Sequence, residues 1–335
     1  MTIKDIARES GYAVGTVSRV LNNQPGVSEE ARRKVMEVVE KYHFILNNNA
    51  KLLKQHYNNG IAIIVKGTKN MLFAGLVEML QGLIRANGYD CLLYYIGEDG
   101  HEVEQALQVC RDRQPMGILF LGSNMENFKE CFGLVDVPCV LVMNSAHGLN
   151  FHNLSSVSID DKGAGKRAIE YLILQGHKKI GILSGEMRHS NPAKFRYVGS
   201  LMALEEKGIS FEPEKQLECS YFTVDGGYKA MKSLLERTPD LTAVFAMSDV
   251  TALGAIRAIK DAGMHVPEDI SVIGFDGIEM GQFTVPKLTT IQQPGEAIAK
   301  RCVKILLESI EEAKPAVIEE LSFSLIVGES TKKIS

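Results

Sequence analysis

Apolar positions change their period along the chain. Over the first 42 residues they recur every three or four positions. Ile3, Ile6 and Ala7 share one face, Val17, Val20 and Leu21 a second, and Val35, Val38 and Val39 a third. That spacing predicts three short amphipathic helices. Thr2 is placed to cap the first, and Asp5 in its opening turn complements the helix dipole. Gly11 supplies the break, because glycine enters a left-handed turn without penalty. The second helix is expected over about Val14–Asn22, closed by the turn cluster Asn23-Gln24-Pro25-Gly26, and Ser28 is placed to cap a third over about Glu29–Tyr42.

From residue 60 short apolar runs alternate with longer amphipathic stretches. Strands are expected at Ile61–Val65, Cys91–Tyr95, Gly117–Leu121, Cys139–Met143, Ser155–Ile159, Lys179–Leu183, Ala243–Ala246 and Ser271–Phe275. Helices are expected between them at Leu72–Asn87, Glu102–Arg113, Gly163–Gln175, Ala193–Lys207, Tyr228–Arg237 and Ala252–Ala262. Such alternation predicts an α/β body: doubly wound parallel sheet with helices on both faces. Two such units leave a cleft at the carboxyl ends of their strands, where open α/β sheets bind ligands.

Length and composition narrow the class. A chain of 335 residues accommodates about two domains and a small third piece. With 45% hydrophobic and 23% charged residues it is an ordinary globular chain, not a disordered, collagen-like or disulfide-stapled one. Its longest apolar runs fall far short of the ~18 residues of a membrane span. The opening MTIKDIARES carries charge where a signal peptide is apolar, so a cytoplasmic location without membrane attachment is expected. The six cysteines form no C-x-x-C pair, and no His/Cys spacing suggests zinc, so neither a metal nor a cofactor is expected. The net charge of −4 is uneven: residues 1–57 hold nine Lys/Arg against six Asp/Glu, about +3, leaving about −7 for the remainder. A basic head on an acidic body points to nucleic acid as a partner of the head.

Three helices in 42 residues suit a helix-turn-helix. Ala7 is the small residue where two helices touch, Gly11 the turn, and Val17 the anchor of the second helix. That helix would enter the major groove, its early residues reaching base edges while hydroxyls and cations hold phosphates.

The run Thr2-Ile3-Lys4-Asp5-Ile6-Ala7, Gly11, Thr16-Val17-Ser18-Arg19-Val20-Leu21-Asn22, Val27-Ser28 and Arg32-Lys34-Val35 resembles the lactose repressor/galactose repressor (LacI/GalR) family of bacterial transcription regulators. The resemblance implies base reading by Val14 and Gly15 with Arg19 in the groove, phosphate contacts from Thr16, Ser18 and Asn22, and Thr2 as a further DNA-binding residue. Ala13 stands where a phosphate-binding Ser is common, and Gly15 has no side chain to donate. An Arg19 contact to guanine is worth ~1–3 kcal/mol of discrimination. Residues 46–57, LNNNAKLLKQHY, resemble the family hinge, which folds on the operator and inserts a leucine into the minor groove. Asn47, Ala50, Lys51 and Leu53 are its implied DNA contacts, with Lys51 replacing a common Arg and Leu46 a common Pro.

The body resembles the family's periplasmic-binding-protein-like effector domain. Its landmarks include Asn70-Met71-Leu72-Phe73, Gly176-His177-Lys178-Lys179-Ile180, Ser248–Gly254, Val266–Asp276 and Leu288-Thr289-Thr290-Ile291. The implied organisation is a head over 1–46, a hinge over 47–58 and an effector-binding, dimerising body over 59–335. The body's N-subdomain would comprise about 59–159 and 289–320, and its C-subdomain about 160–288 and 321–335. Arg196 and Asp276 match residues that bind effector hydroxyls or carboxylates, and Ser248 sits where Asn is common, with Asp249 beside it expected to cap the next helix. Phe73 is a candidate stacking wall, Asp160 or Asp161 would contribute from the crossover, and Phe222 and Gln292 complete the set.

The resemblance implies a homodimeric operator-binding regulator, a repressor, with pseudo-palindromic double-stranded DNA as one partner and a small molecule as the other. A carbohydrate is the expected effector class and a nucleobase or nucleoside the alternative. Two other classes compete. A solute-binding protein would need only the body, but the missing leader and fused head argue against it. An NAD-dependent enzyme is suggested by Gly163-Ala164-Gly165-Lys166-Arg167-Ala168, which fits G-x-G-x-x-A with Glu186 as the acidic partner. That pattern is loose, no hydrolytic triad or carboxylate pair accompanies it, and a non-enzymatic role is expected.

Overall fold

The computed structural model describes residues 3–21, 25–42, 59–67, 70–188 and 190–334. The chain divides into two compact units, Met1–Tyr57 and Asn58–Ser335.

The first unit contains helices α1 (Ile3–Ser10), α2 (Val14–Leu21) and α3 (Glu29–Lys41). Ile6, Ala7, Val17, Val20 and Val35 form its buried core, with Ile3, Leu21, Val38 and Val39 packed around them. Gly11 has φ +74°, the left-handed turn its position demanded. The Ser28 hydroxyl accepts from the Ala31 N–H at 3.3 Å, capping α3. Thr2, Asn22, Leu46, Asn47, Ala50, Lys51 and Leu53, together with the whole expected hinge, lie outside the described residues.

The second unit is built on two six-stranded sheets. One runs in the order β11-β5-β4-β3-β1-β2, from β1 (Gly60–Lys66), β2 (Asp90–Ile96), β3 (Gly117–Leu121), β4 (Cys139–Val142), β5 (Leu154–Ile159) and β11 (Ile318–Leu321). All five of its pairings are parallel. The other runs β12-β10-β9-β8-β6-β7, from β6 (Ile180–Gly185), β7 (Leu217–Ser220), β8 (Ala243–Ala246), β9 (Ser271–Asp276), β10 (Thr289–Gln292) and β12 (Ser324–Ile326). Only its edge strand β12 is antiparallel.

Both faces of each sheet are covered, which is why β1 is a continuous apolar run rather than an alternating one. Ile61, Ile63 and Val65 face α4 (Met71–Ala86) and α11 (Gly295–Glu312); Ala62 and Ile64 face α5 (Glu102–Arg113) and α6 (Met125–Cys131). The second face carries an aromatic cluster, with Phe120 5.1 Å from Phe128 and Phe128 5.2 Å from Phe132 between ring centroids. The other sheet is covered by α7 (Asp161–Leu174) and α8 (Asn191–Glu206) on one face, and by α9 (Val224–Arg237) and α10 (Asp249–Asp261) on the other. Gly165 on α7 lies against the Arg196 backbone of α8, and Gly227 on α9 against that of Thr251 on α10, so a side chain at either position would collide with main chain.

The chain passes between the sheets three times: after Ile159, after Gln292 and between Leu321 and Ser324. The second crossing corrects the expected boundary at 288. Strand β10 pairs in parallel with β9, so Thr289–Gln292 belongs to the C-subdomain. The motif Gly176-His177-Lys178 is structural: the buried His177 ring bonds Thr242 Oγ1 at 3.0 Å and the Lys332 carbonyl at 3.2 Å, fastening the C-terminal tail to this sheet.

Candidate functional site

In the head, α2 buries Val17 and Val20 and presents Val14, Gly15 and Arg19 to solvent, with Thr16 and Ser18 half-buried beside them. The Ala13 carbonyl accepts from Thr16 and Val17 N–H at 2.9 and 3.1 Å, so the first turn of α2 is fixed by its own backbone. A Cβ built on Gly15 would meet nothing within 4 Å, which marks open surface rather than a packing constraint. The expected recognition residues therefore share one exposed face of a helix held by its opposite face.

The second unit contains a cleft of about 950 Å³, counting its open mouth, within the usual range for small-molecule sites. Its walls are the segments that follow strand carboxyl ends: Gly122-Ser123 after β3, Met143-Asn144 after β4, Tyr221-Phe222 after β7, Ser248 after β8, and Gln293 after β10. Asp276, the last residue of β9, completes this wall. Helix starts add Asn70, Phe73 and Arg196. This is the location that parallel sheets favour for ligands.

Arg196 is 5% exposed and tightly held. Its Nε donates to Asp161 Oδ1 at 2.8 Å and its Nη1 to the Met247 carbonyl at 2.8 Å. The guanidinium carbon lies 3.5 Å from the centroid of the Phe275 ring, a cation–π contact that fixes its plane. Nη2 makes no hydrogen bond to a described residue and is the donor left for a ligand. Asp276, 4% exposed, accepts from Gln293 Nε2 at 2.9 Å. Its φ of +115° and the +61° of Met143 place two non-glycine residues in strained backbone at the cleft floor.

Behind Asp276 lies Asp249, wholly buried, accepting from Thr290 Oγ1 at 2.6 Å and Ile278 N–H at 2.8 Å. Burial and the neighbouring Asp276 push its carboxyl up to about 8; burial pushes Asp276 up to about 6, with Arg196 pulling it down. Burial likewise raises Asp161, opposed by Arg196. Among the described residues, two cleft atoms have no hydrogen-bond partner: Ser123 Oγ and Asn144 Oδ1, both on residues 4% exposed. Buried polar atoms are normally satisfied, so these mark places where a ligand or water completes the bonding.

Five of the eight expected effector residues line this cleft: Phe73, Arg196, Phe222, Ser248 and Asp276. Three do not. Asp160 is exposed and spends Oδ1 on the Gly163 N–H at 2.9 Å, capping α7. Asp161 is buried behind Arg196 and acts on the cleft only through it. Gln292 is exposed; alternation along the extended backbone turns Gln293 inward instead. Ser248, not Asp249, caps α10, its Oγ accepting from Thr251 N–H at 3.3 Å. The G-x-G-x-x-A stretch opens α7, where the Gly163 N–H is already taken by Asp160 and Gly165 serves helix packing.

A helix-turn-helix head and a two-sheet ligand-binding body define a ligand-responsive DNA-binding regulator. Residues 2–47 match the family "Bacterial regulatory proteins, lacI family", and residues 169–331 match "Periplasmic binding protein-like domain". The HTH-type transcriptional regulator MalR of Clostridium butyricum is 35% identical over 313 residues, 92% of this chain and 93% of that protein. The HTH-type transcriptional repressor PurR of Pasteurella multocida is 30% identical, over 99% of this chain and 98% of its own. Among solved structures, a transcriptional regulator CelR–cellobiose complex superposes with TM-score 0.71 at 27% identity, covering 98% of this chain and 99% of that one. The chain belongs to the LacI family of bacterial transcription regulators.

Proposed function

We propose that the protein is an operator-binding repressor whose DNA affinity is set by a carbohydrate bound in the cleft. The observation that carries the effector reading is the donor and acceptor set. Arg196 Nη2 offers a donor, Asp276 and Asn144 Oδ1 offer acceptors, and Ser123 Oγ offers either, beside the aromatic faces of Phe73 and Phe222. Hydroxyls on a compact apolar ring satisfy both kinds of group at once. The cellobiose in the similar CelR structure supports the same class.

On the head, Val14, Gly15 and Arg19 would face base edges while Thr16 and Ser18 hold phosphates. Residues 47–58 would supply the hinge contacts through Asn47, Ala50, Lys51 and Leu53. Two copies would read the half-sites of a pseudo-palindrome, as two-fold symmetry requires. The exposed apolar side chains Met280, Phe283 and Val285 are a surface that a second copy would cover. The effector must bind two body conformations unequally to change operator affinity; a coupling of ~1–3 kcal/mol gives about 5–150-fold regulation.

The test is a thermal-shift screen against sugars, nucleosides and purines. A ligand at about 100 times its dissociation constant adds ~2.7 kcal/mol. A sugar hit abolished by Arg196→Ala supports the reading, and a nucleoside hit replaces the effector class. A variant lacking residues 1–57 should keep the ligand and lose DNA; retained operator binding would overturn the role of the head.

A further inference from the structure

We propose that Asp249 is a positioning residue of the effector site: it lies behind the cleft wall and holds the turn that aims Asp276 into the cleft. This rests on the reading of Asp276 as an effector contact and adds a residue to it.

Asp276 needs holding. Its φ of +115° lies where side chains are rarely found, and the next residue, Gly277, continues at +74°. A backbone bent this way persists only where its neighbours over-determine it. On one side Gln293 donates from Nε2 to Asp276 Oδ1 at 2.9 Å and from its N–H to the Asp276 carbonyl at 3.0 Å. On the other side the turn rests on Asp249. Its Oδ2 accepts from Ile278 N–H at 2.8 Å, just past the bend. Its Oδ1 accepts from Thr290 Oγ1 at 2.6 Å, which ties the turn to β10. The Asp249 main chain acts in the same direction. Burial raises the Asp276 carboxyl; against it act Arg196, then Gln293, then the Asp249 N–H.

Room for the Asp249 carboxyl is built into the strand. A Cβ at Gly274, inside the buried strand β9, would collide with Asp249 Oδ1. A glycine within a strand marks such a close approach. Capping does not account for these bonds, because Ser248 already caps α10. Asp249 is wholly buried and lines none of the cleft, whereas Ser248 before it and Asp276 beside it both do. Phe275, next to Asp276, is the plate under the Arg196 guanidinium. A slackened turn would therefore disturb both charged groups of this wall.

The experiment compares the full-length wild type, Asp249→Ala, Asp249→Asn and Asp276→Ala. Each is measured by hydrogen–deuterium exchange without ligand, and by calorimetric titration with cellobiose and with adenosine. In Asp249→Ala the amides of 276–278 and 293 should exchange faster, while β6 and β8 of the same sheet stay as protected as in wild type. Affinity for the probe that binds should fall at least about tenfold, the effect of misaligning one hydrogen bond to a charged group. Asp249→Asn keeps an acceptor for Ile278 N–H and offers Thr290 a donor, so it should restore both readouts. If Asp249→Ala does not fold, Thr290→Val, which removes the hydroxyl and keeps the branched shape, should give the same local pattern with a smaller loss. Wild-type exchange over 276–278 in Asp249→Ala would overturn the proposal. So would a rise spread evenly over the sheet, or an Asn variant no better than the Ala one. If neither probe gives heat, the exchange result decides alone. Unchanged affinity in Asp276→Ala is a separate failure: it removes Asp276 from the effector reading, while exchange still decides what Asp249 holds.

Discussion

The head and the body use side chains in opposite ways. On α2 the residues proposed to read bases, Val14, Gly15 and Arg19, are exposed, and the buried Val17 and Val20 behind them hold the helix. In the cleft the residues proposed to bind the effector, Arg196 and Asp276, are themselves buried and held by neighbours: Asp161 holds Arg196, and Gln293 holds Asp276. Recognition on the head is thus separable from stability, whereas recognition in the cleft is stability of the body put to a second use. Substitutions in the two places should differ in kind.

The largest effect is expected from Arg196→Ala. It removes the cleft donor and strands Asp161 as an uncompensated buried charge, costing about 3–5 kcal/mol. Melting should fall sharply and effector response vanish. Arg196→Lys should not restore the response, because a point charge cannot serve Asp161, Met247 and a ligand together. An Arg196→Ala protein that melts like wild type would break the contrast with the head.

Next comes Arg19→Ala. Exposed and without a described ion pair, it should lose about 1–3 kcal/mol of operator discrimination in a fluorescence anisotropy titration, with an unchanged melting temperature. A drop in melting temperature comparable to that of the cleft variant would erase the distinction.

A pH series sharpens the comparison without mutation at the cleft wall. Asp249 and Asp276 have folded values raised above their unfolded ones, so the protonated forms favour the fold. Their contribution is complete below about pH 4 and is lost as pH rises through about 6 and about 8. Body melting should therefore fall from pH 6 to pH 9, and Asp249→Asn should flatten that slope. His177 has the opposite sign. Burial lowers its value, so its neutral form favours the fold, and its contribution is lost as pH falls below about 6.5. Thr242 and Lys332 would then release the tail first, visible as faster hydrogen exchange there.

The smallest effect is at Gly15. Its helix position is open, so Gly15→Ala should stabilise the head by about 0.5–1 kcal/mol while altering base preference in a binding-site selection.

Much of this was readable because local pattern and tertiary role agree. The head helices, α5 and the strands Gly117–Leu121 and Ala243–Ala246 fall where periodicity places them. The elements that pattern missed are β7, β10, β11, β12, α6 and α11. The short strands carry weak patterns: β11 reads Ile-Glu-Glu-Leu, and β7 is only half-buried. Helix α11 carries a legible apolar stripe, Ile298, Ala299, Cys302, Val303 and Leu306, but no element is expected there in the sequence analysis. In the cleft, Arg196 and Asp276 came from motif matches. Ser123, Asn144 and Gln293 were missed although a general signal existed: each lies one or two residues past a strand's carboxyl end. Asp161 and Asp249 could not be separated from their neighbours Asp160 and Ser248 by type. Helix phase and strand parity decide which of two adjacent polar residues turns inward, and that is a property of the packed sheet.

The three crossings have a consequence for how the body is made. Each sheet takes its last strand from residues 318–326, and the helix 295–312 covers a face of the first sheet from beyond the second. A ribosome therefore delivers most of both halves before either can close. The half translated first waits, with one flank uncovered, until almost the whole polypeptide has emerged.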